Sequence, residues 1–496
     1  MSQSSRVAKN VLITLATQLL TWGLSFAVTL FLPRYLKDFG LGAVTLGASV
    51  AGLLQVIVGL GTSTVLTKEI ARDHSRLASL SIAGIVSRIP LAIIAFALGW
   101  AIIAALHYSG YLAVLIYLSI GAMVVGQFAD VLTCALRGVE DFPRQNAIAV
   151  VEKVINSGAL IALVFGRGPV WAIVAAGILS SAANLILSIL AVRKHVVRMR
   201  QSAAAKPSSQ WKIDTSGIRL LIYAGMPFLT SAIFTAVYGQ SDALLLSKLS
   251  TVAAIGWYGL AKRLGGSTLV IPTTVCATLL PLMVRLHEED KERFQTIVRK
   301  MFDVMVISVI PFAAILILAP GQILLLLHYP ASFQHSIPVL VIMGSGVALW
   351  FLSQAAGTAL IACDRQAIFG RVAGIAALAS VPLCGLSVYL TERYMANGAI
   401  GAILSDVLLE AYMVTAYILA LPPGLFDRGV LSVFGRAALA ALPMVGLFYF
   451  VHDRSGIYLP LIGLVAYVPL CKVFGCIGRS DINLLMGAIR RKSGAY

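Results

Sequence analysis

A chain of 496 residues with only 12% charged and 59% hydrophobic side chains is not a soluble globular protein, in which about a quarter of residues are charged. Its mean hydropathy is +0.91 and its formal net charge is +17, from 38 Lys and Arg against 21 Asp and Glu. The six cysteines (Cys134, Cys276, Cys363, Cys384, Cys471, Cys476) lie in or beside apolar stretches without metal-ligand spacing, which argues against a disulfide framework or a zinc site and for small buried apolar residues.

A bilayer core of about 30 Å takes about 20 mostly apolar residues per helix, and every backbone polar group inside it must be paired within the protein. The apolar runs here are near that length, not the roughly ten alternating residues of a barrel strand. In chain order the predicted spans are 11–33, 41–66, 80–106, 111–135, 145–166, 170–192, 218–247, 252–283, 301–327, 337–361, 368–390, 397–420, 431–451 and 456–475. The expected fold is therefore all-α and membrane-embedded, with about 14 transmembrane helices. The first run follows a short polar start, Met1–Asn10; it is too long for a signal-peptide core and lacks a small-x-small cleavage site, so it reads as an uncleaved helix. The longest polar stretch, about Arg193 to Ser216, has an Ala-Ala-Ala-Lys-Pro-Ser-Ser core that reads as a linker.

With the N-terminus placed in the cytoplasm, 28 of the 38 basic residues fall in cytoplasmic segments, six in external ones and four inside spans. That asymmetry is a strong positive-inside signal. It predicts both termini in the cytoplasm and assigns most of the net charge to orientation and to contact with anionic lipid heads, not to nucleic acid.

The chain also resembles itself at an offset of about 212 to 224 residues, or six spans. Arg34-Tyr-Leu-Lys with Val44-Thr-Leu-Gly-Ala returns loosely as Ser247-Lys-Leu-Ser with Gly256-Trp-Tyr-Gly-Leu, and Ala135-Leu-Arg-Gly-Val-Glu-Asp with Arg144-Gln returns as Ala359-Leu-Ile-Ala-Cys-Asp with Arg365-Gln. An even offset makes the two halves enter the membrane in the same sense, a parallel repeat of a kind found in transporters. The expected organisation is an N-lobe of helices 1–6 (1–193), a cytoplasmic linker (194–216), a C-lobe of helices 7–12 (217–420), and helices 13–14 with a basic tail (421–496).

On these segments the chain resembles a known family. Arg34-Tyr-Leu, the Gly-rich second span, Leu66-Thr-Lys-Glu-Ile-Ala-Arg-Asp73, the Leu136-Arg-Gly-Val-Glu hairpin, Gln240-Ser-Asp242-Ala-Leu-Leu-Leu-Ser and Tyr258-Gly-Leu-Ala-Lys-Arg-Leu264 are similar to the polysaccharide transporter branch of the multidrug/oligosaccharidyl-lipid/polysaccharide exporter superfamily. The likeness covers residues 8 to 420 and reaches the last two helices by count only. It implies a Wzx-type flippase of undecaprenyl-pyrophosphate-linked oligosaccharide, with two six-helix lobes around a central cavity in the cytoplasmic (inner) membrane. The implied partners are the lipid-linked oligosaccharide, membrane lipids and polysaccharide polymerase or export machinery.

The charges inside spans carry the functional argument, because each costs roughly 2.5–3.5 kcal/mol at a helix centre and normally faces a cavity or a partner. Arg88, followed by Pro90, is a cation whose planar fork suits phosphate; a structural salt bridge is the alternative. Lys262 and Arg263 lie near the midplane of the eighth span and diverge by about 100°, so one of them points fully into a lumen, with Arg263 favoured. Asp242 and Gln240 are an acid and an amide that could pair with the Lys248 or Arg263 region or carry a coupling H+ or Na+. Asp130, near Gln127, is either a headgroup-zone residue or a cavity acid. Glu152 and Lys153 are adjacent but not on one face, which favours structural pairing with other helices. Asp406 and Glu410 are spaced i, i+4; two close carboxylates can share a proton, or each can pair with a neighbouring cation. Gly42, Gly47, Gly52, Gly59 and Gly61 permit close packing or bending, and Pro227, Pro272 and Pro281 are expected to interrupt the seventh and eighth spans.

There is no phosphate loop, nucleophile elbow or His/Cys metal spacing, so neither an enzyme nor a cofactor is expected. Three rivals remain. A cation-coupled drug antiporter of the same superfamily predicts an acidic or apolar cavity. A membrane glycan polymerase or ligase predicts a large external loop, and all external segments are short. A non-transporting scaffold needs no polar cavity.

Overall fold

The computed structural model describes residues 3–108, 110–201, 215–426, 428–450 and 459–476. Among them there is no strand. The order is α1 (Gln3–Gly59), α2 (Thr62–Arg72), α3 (Leu77–Ala105), α4 (Gly110–Gly138), α5 (Phe142–Phe165), α6 (Val170–Gln201), α7 (Thr215–Leu249), α8 (Val252–Ser267), α9 (Val270–Glu289), α10 (Lys291–Leu318), α11 (Pro320–Leu326), α12 (Ile337–Ala362), α13 (Gln366–Met395), α14 (Gly398–Ala420), α15 (Arg428–Phe450) and α16 (Leu459–Val473).

Eleven helices are long and apolar enough to cross a membrane, and α15 and α16 contain shorter apolar stretches, Ser432–Pro443 and Ile462–Val473. Large apolar side chains face outward: Ile93 is 67%, Trp100 64% and Leu378 68% exposed. Such a surface is stable only against hydrocarbon or a partner. This is a multi-pass membrane protein.

The predicted spans are cut differently by the backbone. The first two merge into α1, interrupted at Lys37, whose φ of 56° lies in the left-handed region. The second span was expected to reach residue 66, but Leu60 (φ 47°) and Gly61 (φ 65°) break it before α2. Glycine is required at 61 by its φ and by space, since a Cβ there would lie 2.7 Å from the Gly225 carbonyl oxygen and 2.8 Å from the Leu229 nitrogen. Span 252–283 is two helices, α8 and α9, separated at Thr268–Leu269 just before Pro272. Pro227 and Pro281, by contrast, sit inside α7 and α9 without ending them. A proline removes one ladder bond, which a membrane helix tolerates where neighbours or Ser/Thr side chains re-satisfy the freed group. Helix α6 continues to Gln201, well into the stretch read as linker; residues 202–214, 451–458 and 477–496 lie outside the described residues.

By packing, the chain forms two compact units: residues 1–259 with 377–399, and residues 260–376 with 400–496. In the first, α4 packs along α6 and α1, and α5 lies against α1 and α6. Its core joins Leu66, Ile70, Leu77, Leu80, Leu132, Leu136, Val192 and Leu221. Two backbone approaches between α1 and α8 leave no room for side chains: a Cβ at Gly42 would strike the Val252 carbonyl, and one at Gly256 the Asp38 carbonyl. In the second unit α10 packs on α12, α9, α15 and α16, around Met301, Phe302, Met305, Met343 and Phe351. The Tyr467 hydroxyl donates to the Ile307 carbonyl at 3.0 Å, tying α16 to α10, and Arg299 donates to Gly424 O at 2.9 and 2.7 Å.

Candidate functional site

Arg88 projects from α3 and is 1% exposed. Its Nη2 lies 3.0 Å from Asp130 Oδ2 on α4 and donates more weakly to Ser63 Oγ (3.3 Å) and Thr62 Oγ1 (3.4 Å) at the start of α2; Nη1 donates to the Gln127 carbonyl. Ser63 donates to the same Asp130 oxygen at 2.6 Å. The break at Leu60–Gly61 turns α2 so that its first hydroxyls meet this pair. The guanidinium is thus spent on protein groups, except for a buried Nε with no partner among the described residues. Asp130, whose side chain is 34% exposed, is an ion-pair partner set eight residues, about two turns, before the end of α4, not a residue at the helix end.

Asp242, on α7, is 2% exposed and accepts a 2.5 Å hydrogen bond from the Tyr258 hydroxyl on α8. Tyr258 stands in the motif quoted above but carries no charge, so nothing in the sequence singled it out. Lys248 lies elsewhere: its ammonium donates to the Leu106 carbonyl and sits 4.6 Å from the centre of the Tyr108 ring. The Tyr108 hydroxyl is 2.6 Å from Ser247 Oγ, and burial pushes this phenol up despite that hydrogen bond. Gln240 packs on Gly52, where a Cβ would approach its Cδ to 3.0 Å.

A polar seam joins α5 and α6. Asn184 Nδ2 donates to Glu152 Oε2 at 2.6 Å, Ser188 donates to Asn184 Oδ1 at 3.0 Å, and Asn156 donates to Ser180 at 3.0 Å. Glu152 thus meets an amide, not a cation. Lys153 is half-buried and makes no hydrogen bond or ion pair among the described residues, contrary to the expectation of a partner.

In the second unit, Lys262 Nζ on α8 lies 3.1 Å from Asp406 Oδ2 on α14. Asp406 is 4% and Glu410, one turn on, 7% exposed. The carboxylate pair therefore brings a cation to itself, and Lys262 is neutralised. Arg263, its neighbour, is half-buried and has no ion pair among the described residues. A cavity of about 700 Å³ at the start of α7 is lined by Thr215, Ser216, Arg219, Leu220, Tyr223 and Ala224, none of them a mid-span charge. No group of three or more His, Cys, Asp or Glu is placed to hold a metal among the described residues, and all six cysteines are free and buried.

Long apolar helices broken at defined points, with ionisable groups inside their spans, define a polytopic membrane protein. It is similar to lipid II flippase MurJ in an inward closed conformation, with a TM-score of 0.69 and 12% identity over 94% of this chain and 98% of that one. It is also similar to an inward-facing multidrug resistance MATE transporter (TM-score 0.60, 15% identity, 84% and 95% covered) and to the MATE multidrug transporter DinF-BH (0.55, 14%, 84% and 96%). No curated protein matches in sequence. Residues 7–287, more than half of the chain, match the model of the polysaccharide biosynthesis protein family, and the chain belongs to that family.

Proposed function

We propose that this protein flips an undecaprenyl-pyrophosphate-linked oligosaccharide repeat unit across the cytoplasmic (inner) membrane, by alternating access between an N-lobe (1–193) and a C-lobe (217–420), with both termini cytoplasmic. The observation that carries it is Arg263. It is a guanidinium in a broken helix, beside a lysine that has its own carboxylate, and it is left without an ion pair among the described residues. An unneutralised cation inside a span is expensive unless an anion or water meets it. A guanidinium fork suits a pyrophosphate. Membership of a polysaccharide biosynthesis family supports a glycan as the rest of the cargo. A hydrated sugar chain bearing a pyrophosphate cannot cross hydrocarbon unaided, whereas its polyprenyl tail can remain in lipid.

The test is made in cells. With Arg263→Ala at normal protein level, the lipid-linked glycan accumulates on the cytoplasmic leaflet and surface polysaccharide falls at least about tenfold, while Arg263→Lys retains part of the export. Normal export by Arg263→Ala overturns this role.

One observation favours a second reading, a cation-coupled antiporter for drugs or other small molecules. Arg88 and Lys262 are neutralised by Asp130 and Asp406, so two of the four mid-span cations add no net positive charge. That reading predicts that gene loss sensitises cells to cationic compounds and leaves glycan export intact.

A further inference from the structure

Glu152 stands ten residues from the start of α5 and thirteen from its end, about 15 and 20 Å at 1.5 Å per residue. It has no cation within ion-pair distance among the described residues. Its one donor among the described residues is Asn184 Nδ2 at 2.6 Å, and that amide is oriented because its oxygen receives the Ser188 hydroxyl at 3.0 Å. A carboxylate deep in a span with one neutral donor is under-compensated, whereas the protonated acid keeps the amide contact and loses its charge. An amide NH2 where a metal ion would sit disfavours a sodium site.

The neighbouring charges leave this picture intact. On α1 the described ones, Arg34, Lys37 and Asp38, flank Tyr35, which bonds Gly168 beyond the far end of α5. On α6 the first are Arg193, Lys194 and His195, nine or more residues past Asn184. On α4, Asp130 lies at a comparable depth but is paired with Arg88, and Tyr111, Tyr117, Cys134 and Arg137 lie at other heights. In the hairpin, Arg144 and His195 both contact Asp141. What remains is Lys153, the next residue, turned about 100° around the helix and half-buried.

We propose that Glu152 is a proton-binding site of the first unit, and that Lys153 links its occupancy to an anion in the transport path. The geometry gives the sign. While Lys153 is unengaged, its ammonium favours ionised Glu152; when a pyrophosphate-type anion meets Lys153, that support is withdrawn and a proton binds more readily. Linkage is reciprocal, so protonation also favours anion binding. The proton half rests on this seam alone, and the anion half rests on the proposed cargo.

The test uses the full-length protein in neutral-lipid nanodiscs and a hydrophobic carbodiimide, which reacts with protonated carboxyls, read by mass on the α5 peptide. At pH 7, Glu152 labels in the wild type, and the isosteric Glu152→Gln, which keeps a partner for Asn184, falls to background. Added polyprenyl pyrophosphate raises the labelling about fivefold, at the low end of ordinary coupling; in Lys153→Gln, labelling is high at the outset and insensitive to the probe. Background labelling of the wild type, or protection by sodium at fixed pH, overturns the proton site. Labelling that ignores the pyrophosphate, or that answers equally to phosphatidylglycerol, overturns the link to the cargo and leaves the proton site standing.

Discussion

Asp130 and Arg88 show what a charge inside a span costs. With Arg88 fully enclosed, removing its counter-ion leaves a buried guanidinium supported by two hydroxyls and a carbonyl. Breaking such a pair typically costs about 3–5 kcal/mol, while replacing both members with apolar residues is often neutral. Asp130→Ala is therefore expected to lower Tm in detergent strongly, and Arg88→Met with Asp130→Leu to recover most of the loss; equal damage by both would count against the pair as an electrostatic unit. Tyr258→Phe removes the 2.5 Å donor from buried Asp242 and is expected to cost about 1–3 kcal/mol, measured the same way. The sequence identified which residues were chemically out of place, since a charge in an apolar run is visible by inspection. It could not identify their partners. Asn184, Ser63 and Tyr258 are uncharged, and Asp406 is 144 residues from Lys262, so pairing depends on which helices touch.

At the scale of elements, positive-φ residues decide where helices stop. Lys37, Leu60 and Gly61 divide what hydropathy reads as two long runs, and hydropathy is blind to φ. The α1–α8 contact is the sharpest case. Thr45 and Gly259 face each other so closely that a Cβ on Gly259 would lie 3.5 Å from Thr45 Cβ, within disulfide range. Oxidised Thr45→Cys/Gly259→Cys should cross-link, holding α1 to α8, and block transport until reduced. Efficient transport by the fully cross-linked protein would mean that these helices need not separate. Gly256→Ala is expected to prevent that cross-link from forming in the triple variant, because its methyl group has no space beside the Asp38 carbonyl. The glycine richness of this region was legible; its use as a backbone-to-backbone contact with a helix more than 200 residues away was not.

For the whole molecule, solvent sets the rules. A surface bearing Ile93, Trp100 and Leu378 requires a bilayer. The uneven distribution of basic residues then predicts orientation: reporter fusions after residues 75, 205 and 290 should read as cytoplasmic and one after residue 167 as external. An external reading at any of the first three would overturn the assumed topology. Composition and the spacing of apolar runs by themselves determined that this chain is a helical membrane protein, because burying peptide groups in hydrocarbon leaves few other solutions. The order of its motifs was enough to place it near polysaccharide exporters. Tertiary structure alone decided that Arg88 and Lys262 are neutralised while Arg263 and Lys153 have no ion pair among the described residues, because a charge is compensated by what lies within about 4 Å in space, a distance that sequence separation does not encode.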